Sequence, residues 1–251
     1  MAESTQTTQI KESLAFVFED PRWFQKLLIA AVLIFLWFIP FIPMIILLGY
    51  MARIMRGIIQ DNKDPFLPQW TDFNQLFRDG FQVLIAYLVY TLPIMLILAV
   101  GYGSFFLPFL TTEMLTAGEG VEGAIIIIGY LIGLGLMGIG FLVAIAGGIF
   151  IPVAVCRVVD RGQIRAAFEF REIWQVFKAN WSGFLLAYLV VIGGSMMAYY
   201  GSQLLILTVI LCCLYPLVLS LIGAYLSIVS SALFANAYRD GLALRAELEG
   251  S

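Results

Sequence analysis

The chain has 251 residues, 61% of them hydrophobic and 12% charged, with a formal net charge of −3 and a mean hydropathy of +0.95. Globular domains carry about 25% charged residues, so a water-facing surface cannot be built over most of this chain. Histidine is absent, which excludes His-based acid/base catalysis, Ser-His and Cys-His nucleophile pairs and imidazole ligation of metals or haem. No basic patch with exposed aromatics marks a nucleic-acid binder.

The N-terminus, Met1 to Phe16, is polar and acidic at first. It lacks the basic, apolar and small-residue regions of a removable signal peptide, so the first apolar tract is expected to serve as an uncleaved anchor. Asp20-Pro21 reads as a helix start: Asp caps, and Pro fits the first helical position because its missing N–H is not needed there. Trp23 then anchors at the membrane interface.

The first uncharged tract is Leu27 to Ala52. Pro40 and Pro43 interrupt it, and two readings stay open: one kinked span, or a re-entrant hairpin that returns the chain to its starting side. Arg53, Arg56, Lys63 and Arg78 follow in a basic connection. Further uncharged tracts are Gly80 to Thr112 and Gly123 to Cys156, separated by a loop carrying Glu113, Glu119 and Glu122 and no Lys or Arg. A second basic connection holds Arg157, Arg161, Arg165, Arg171 and Lys178. The last tract, Ala179 to Tyr238, runs sixty residues without one charge. A charge near the bilayer centre costs about 2.5–3.5 kcal/mol on insertion scales, so a membrane span excludes what this tract lacks. At 1.5 Å per residue it suffices for two crossings of a ~30 Å core. The turn between them is expected near Tyr200-Gly201-Ser202-Gln203.

The fold class is therefore all-α: a polytopic transmembrane bundle of about five hydrophobic segments with interfacial amphipathic helices. The Lys/Arg distribution places both basic connections and the tail, with Arg239 and Arg245, in the cytoplasm. The side of the N-terminus depends on the hairpin.

An internal similarity runs through the basic connections. Phe73, Leu76, Phe77, Gly80, Phe81 and Leu84 reappear one hundred positions later as Ile173, Val176, Phe177, Asn180, Trp181 and Phe184. Arg53 and Arg56-Gly57 resemble Arg157 and Arg161-Gly162. The spacing puts large apolar side chains on one helical face, as in an interfacial elbow helix, with Thr71 as its possible N-cap. These observations suggest a parallel tandem repeat: 1–26 a polar N-terminal segment and interfacial helix, 27–122 and 123–238 the membrane units, 239–251 the tail. Chance similarity among apolar residues is the alternative.

In the first unit, Asp20-Pro21-Arg22-Trp23, Gly49-Tyr50-Met51-Ala52-Arg53-Ile54-Met55-Arg56, Leu67-Pro68-Gln69-Trp70-Thr71-Asp72-Phe73 and Asp79-Gly80 resemble the bacterial and archaeal membrane proteins grouped as domain of unknown function 4013. Gln69 stands where an acidic residue is common. The resemblance implies a polytopic fold, with the prokaryotic cytoplasmic membrane as its place, and carries no activity.

The candidate site residues are few. Arg53, Arg56, Asp72, Asp79, Arg157 and Arg161 form a possible cytoplasmic charge cluster, for helix clamping by Arg53 or Arg56 with Asp72 or Asp79, for lipid contact, or for an anionic ligand. Trp23, Trp70, Trp174 and Trp181 are read as interfacial anchors. Gly129 and Gly133, four apart, allow close helix approach. Cys156, Cys212 and Cys213 read as small apolar residues, without metal-ligand spacing. No charge lies within the uncharged tracts, which weakens proton-coupled transport. The expectations are no catalytic residues, no cofactor and no metal. Expected partners are membrane lipids and other integral membrane subunits, and no nucleic acid. Three roles follow: a non-catalytic scaffold or accessory subunit, a transporter for a small or lipidic solute, and, with least support, a membrane-embedded lipid enzyme.

Overall fold

A computed structural model describes residues 2–39, 41–111, 119–206 and 214–250. They form eight α-helices and no strand: α1 (Ala2–Glu19), α2 (Trp23–Phe35), α3 (Ile42–Ile59), α4 (Phe73–Thr111), α5 (Glu119–Arg161), α6 (Phe170–Ala179), α7 (Trp181–Ile206) and α8 (Tyr215–Gly250). Five of these, α3, α4, α5, α7 and α8, are long and apolar enough to cross a membrane, which agrees with the five segments expected. Glu113, Cys212 and Cys213 lie outside the described residues.

The first uncharged tract divides into α2 and α3, joined by a 3-10 turn at Leu36–Phe38 and by Phe41, whose φ of 68° is left-handed. Pro43 sits in the first turn of α3, where no helical N–H donor is required. Two contacts show that the chain doubles back. Lys26 Nζ, near the start of α2, donates to the Leu67 carbonyl beyond the end of α3 at 2.6 Å. Trp70 Nε1 donates to the Lys26 carbonyl at 3.2 Å. The tract is a helical hairpin and not one kinked helix.

The turn expected at Tyr200–Gln203 is not there. Helix α7 continues through these residues to Ile206. Ser202 Oγ donates to the Tyr199 carbonyl at 2.7 Å, so its polarity is satisfied within the helix and opens no turn.

Contacts divide the chain into two compact units. The larger comprises residues 1–86 and 152–251, and α8 is its centre, packing against α1, α2, α3, α6 and α7. Small residues on α8, including Ala224, Ala232, Ala235 and Gly241, let these neighbours approach. Tyr50, Ile54, Leu76, Val176, Phe184, Ile228 and Tyr238 are fully buried.

The two elbow sequences behave differently. In the first, α4 runs unbroken from Phe73, and Leu76, Gly80 and Leu84 face inward while Phe73, Phe77 and Phe81 form an exposed stripe. Gly49 and Gly80 fit α3 against α4: a Cβ on Gly49 would collide with the Leu76 carbonyl oxygen, and one on Gly80 with that of Ile45. In the second, the helix breaks at Asn180 between α6 and α7. Asn180 Oδ1 accepts the Gly183 N–H at 3.3 Å, capping α7, and its Nδ2 donates to the Ala237 carbonyl at 2.9 Å. A Cβ on Gly241 would lie 3.0 Å from the Val176 carbonyl oxygen. Thus Ile45 and Gly49 of α3 meet Gly80 and Leu76, and Ala237 and Gly241 of α8 meet Asn180 and Val176. Residues four apart on one helix seat matched positions on each elbow.

The smaller unit, residues 87–151, contains the C-terminal part of α4 and most of α5. Its two helical segments meet along a seam. Gly133 lies against Phe105 and the Gly101 carbonyl, Gly140 against Leu98 and Gly147 against Ile94. Tyr130 and Phe105 meet edge to face, with ring centroids 4.7 Å apart. Ile94, Leu98, Gly101 and Phe105 follow a heptad-like 4-3-4 spacing, facing glycines seven residues apart. Gly133 therefore does serve close approach, but its seam partners on α5 are Gly140 and Gly147. Gly129, the other half of the expected pair, is half-buried.

Candidate functional site

The charged groups of the larger unit gather at the helix ends in two clusters. The first joins the four sequence elements of the N-terminal unit. Tyr50 and Trp70 stack with ring centroids 3.9 Å apart and planes 4° apart. Tyr50 OH donates to the Pro68 carbonyl at 3.0 Å. Lys26 pairs with Asp20 at 2.6 Å, and Asp20 Oδ1 accepts the Arg22 N–H at 2.7 Å. Asp20 thus accepts an N–H two residues on, as the expected cap would, but the regular helix starts later. The helix begins at Trp23, two residues beyond Pro21, with Arg22 in the cap position.

Arg56 pairs with Asp79 at 2.7 Å, which ties the last turn of α3 to α4. Arg53 takes a different role: its Nη1 donates to the carbonyls of Gln69 (3.2 Å) and Thr71 (3.0 Å). Among the described residues neither arginine pairs with Asp72, which is exposed. Asp72, not Thr71, precedes α4. Its φ is 57°, and its carbonyl accepts the N–H groups of Gln75 and Leu76.

The second cluster centres on Arg157, which is 4% exposed. Its Nε and Nη2 donate to Glu169 Oε2 at 3.0 and 2.7 Å. Glu172 lies 3.7 Å from Nη2, and Asp160 lies 3.9 Å from Nη1. Tyr238 OH receives a long bond from Nη1 (3.5 Å) and donates to Asp160 Oδ2 (3.3 Å). Arg245 donates to Glu172, and Gln60 donates to the Asp160 carbonyl. The ends of α5 and α6 and the side of α8 are thereby joined through one guanidinium, and Gln60 ties the end of α3 to the group through the Asp160 backbone. Arg161 is exposed at the last position of α5 and stands apart from these pairings. Gly162 closes that helix in the left-handed region, φ 64°, its N–H bonded to the Val158 carbonyl at 2.9 Å.

Two carboxyls titrate low. Burial pushes Asp20 up, but Lys26 and the Arg22 N–H outweigh it and hold the group below its ordinary value. Glu172 is held low by its bond from Arg245, against burial, with Arg157 and Arg171 adding to the effect.

The tryptophans divide by environment. Trp70 is locked between Tyr50 and the Lys26 carbonyl, a structural position beyond interfacial anchoring. Trp23 meets Phe18 edge to face at 5.1 Å. Trp174 and Trp181 are exposed, with Lys178 Nζ 5.3 Å from the Trp174 ring centroid.

Sequence reasoning missed Lys26, Asp160, Glu169, Glu172, Tyr238 and Arg245 as partners. Glu169 and Glu172 carried a signal: they stand one hundred positions after Gln69 and Asp72, and Gln69 is the position where an acid is common. Among the described residues no group of three or more metal-ligating side chains converges.

Residues 32–207 match a family model described as "Protein of unknown function (DUF4013)". No curated protein and no solved structure matches the chain.

Proposed function

The chain belongs to the DUF4013 family, and on that premise we propose a non-catalytic role as an integral membrane scaffold or accessory subunit. The observation that carries this reading is the use made of the ionisable groups. Arg56 with Asp79, and Arg157 with Glu169, Glu172 and Asp160, join helix ends to one another. Such pairing holds helix ends in place. The spans also leave much surface for neighbours: only 17% of the best apolar window of α4 and 11% of that of α7 is buried within the chain. Under this reading the basic ends face the cytoplasm, and the two elbows descend from a duplicated unit. Purification in native lipid is the test. A stoichiometric membrane partner that survives mild solubilisation is the expected result, and recovery of the chain alone at native expression overturns the role.

A second reading, carriage of a lipidic solute, draws on two apolar grooves beside α8. One, about 280 Å³, opens against α2, and the other, about 510 Å³, against α1 and α7. Solute flux into vesicles containing the chain alone distinguishes it from the scaffold role.

A further inference from the structure

The short helix α2 carries two different recesses on neighbouring faces. At its N-terminal end lies a polar groove of about 450 Å³, lined by Asp20, Arg22, Gln25, Lys26, Gln69 and Trp70 among others. Further along, Phe24, Leu28, Val32 and Phe35 line an almost wholly apolar cleft of about 280 Å³ against Leu217 and Leu221 of α8. Phe24 and Gln25 are adjacent in sequence, about 100° apart around the helix.

We propose that this pair of recesses binds one anionic phospholipid, with the phosphate at Arg22 and an acyl chain in the cleft along α2. The charge favours an anion. The groove carries two cations, Arg22 and Lys26, against one carboxylate, Asp20, which is bonded to Lys26 and to the Arg22 N–H; the exposed Arg22 guanidinium acts on Asp20 only through its charge and makes no ion pair among the described residues. Gln25 and the edge of Trp70 supply the polar and aromatic surroundings of a head group at the interface. The depth favours a lipid over a helical partner. Thirteen residues of α2 rise about 20 Å, whereas a transmembrane helix presents about 30 Å of apolar length. The cleft is thus about one leaflet deep. The site belongs to the first cluster but includes neither Arg56 nor Arg157, whose guanidinium groups are engaged by their own carboxylates. It stands whether or not a protein partner is found.

The full chain, reconstituted in nanodiscs of equal phosphatidylglycerol and phosphatidylcholine, is released and its retained lipids are counted by native mass spectrometry. Phosphatidylglycerol should be enriched, and Arg22→Gln should reduce its retention about fivefold, the effect of one cation near a lipid head group. Arg22→Lys should keep most of the enrichment. Leu28→Trp, which fills the cleft, should lose both lipids while the thermal transition stays in place. Equal retention of the two lipids by the parent chain overturns the proposal, as does undiminished enrichment in a folded Arg22→Gln variant. Full displacement by soluble glycerol phosphate would show a site for a small anion and overturn the assignment to a lipid.

Discussion

Arg157, emerging at the end of α5, donates two hydrogen bonds to the same Glu169 carboxylate oxygen, at 3.0 and 2.7 Å, while its own side chain is almost completely enclosed. A guanidinium so placed is stable only because acceptors surround it. Removing either partner should therefore have unequal effects. Arg157→Ala leaves Glu169, Glu172 and Asp160 mutually repelling and should destabilise the fold by about 3 kcal/mol, within the range for breaking a buried pair. Glu169→Gln leaves Asp160 and Glu172 beside the arginine and should cost about 1 kcal/mol. Denaturation in mixed micelles measures both, and equal losses would contradict this ordering.

The α3–α4 contact predicts a steric effect. Gly49→Ala and Gly80→Ala each drive a methyl into a neighbouring backbone carbonyl, and each should destabilise by about 1–3 kcal/mol, the usual range for overpacking. Gly135→Ala, where a Cβ would meet nothing within 4 Å, should leave the melting temperature unchanged or raise it slightly. Thermal unfolding of the three variants checks the contrast.

Arg56 and Asp79 form a partly buried pair, and a double-mutant cycle should detect it. Arg56→Asp and Asp79→Arg should each destabilise the chain, and the double exchange should recover part of the loss, with a coupling of about 1 kcal/mol. The same cycle between Arg56 and Asp72 should give no coupling. At the first elbow, Gln69→Glu places a carboxylate near Arg53 and should stabilise by about 0.2–1 kcal/mol, most visibly at low salt.

Acid should weaken the helix-end clusters. The carboxyls of Asp20 and Glu172 sit below their ordinary values of 3.8 and 4.5 in the folded chain. A depressed folded value means that their contribution is complete above the unfolded values and disappears as pH falls through the folded ones. Stability should therefore decline below about pH 5. Glu172→Gln should make that decline shallower, as followed by thermal unfolding across pH 3–7.

The α2–α3 hairpin returns the chain to the end from which it started. With native cysteines replaced, single cysteines at Lys11, Lys63 and Glu247 should all react with a membrane-impermeant reagent from the cytoplasmic side. Labelling of Lys11→Cys and Lys63→Cys from opposite sides would restore the single kinked span.

Much of the membrane architecture was legible in the sequence because a bilayer excludes charge over a known thickness. Uncharged tracts of sufficient length therefore marked the spans. Turn positions were less legible. Ser202 and Gly201 looked like a break, yet a serine hydroxyl can bond its own helix backbone. Gly80 and Asn180 occupy matched positions, but only the asparagine ended its helix, by accepting from Gly183 and reaching Ala237.

By itself, then, the sequence determined the apolar surroundings of the chain, the helical class, the number of long apolar segments and the family resemblance. These depend on local composition and on residue patterns along a single strand of text. The tertiary structure decided that α2 and α3 double back, that Arg56 chooses Asp79 over Asp72, and that Arg157 gathers Glu169, Glu172 and Tyr238. It also decided that the glycines of α5 act seven apart. Each of these depends on which helix faces meet, and partners such as Arg157 and Tyr238, eighty-one positions apart, are brought together only when α5 and α8 end on the same side of the bundle.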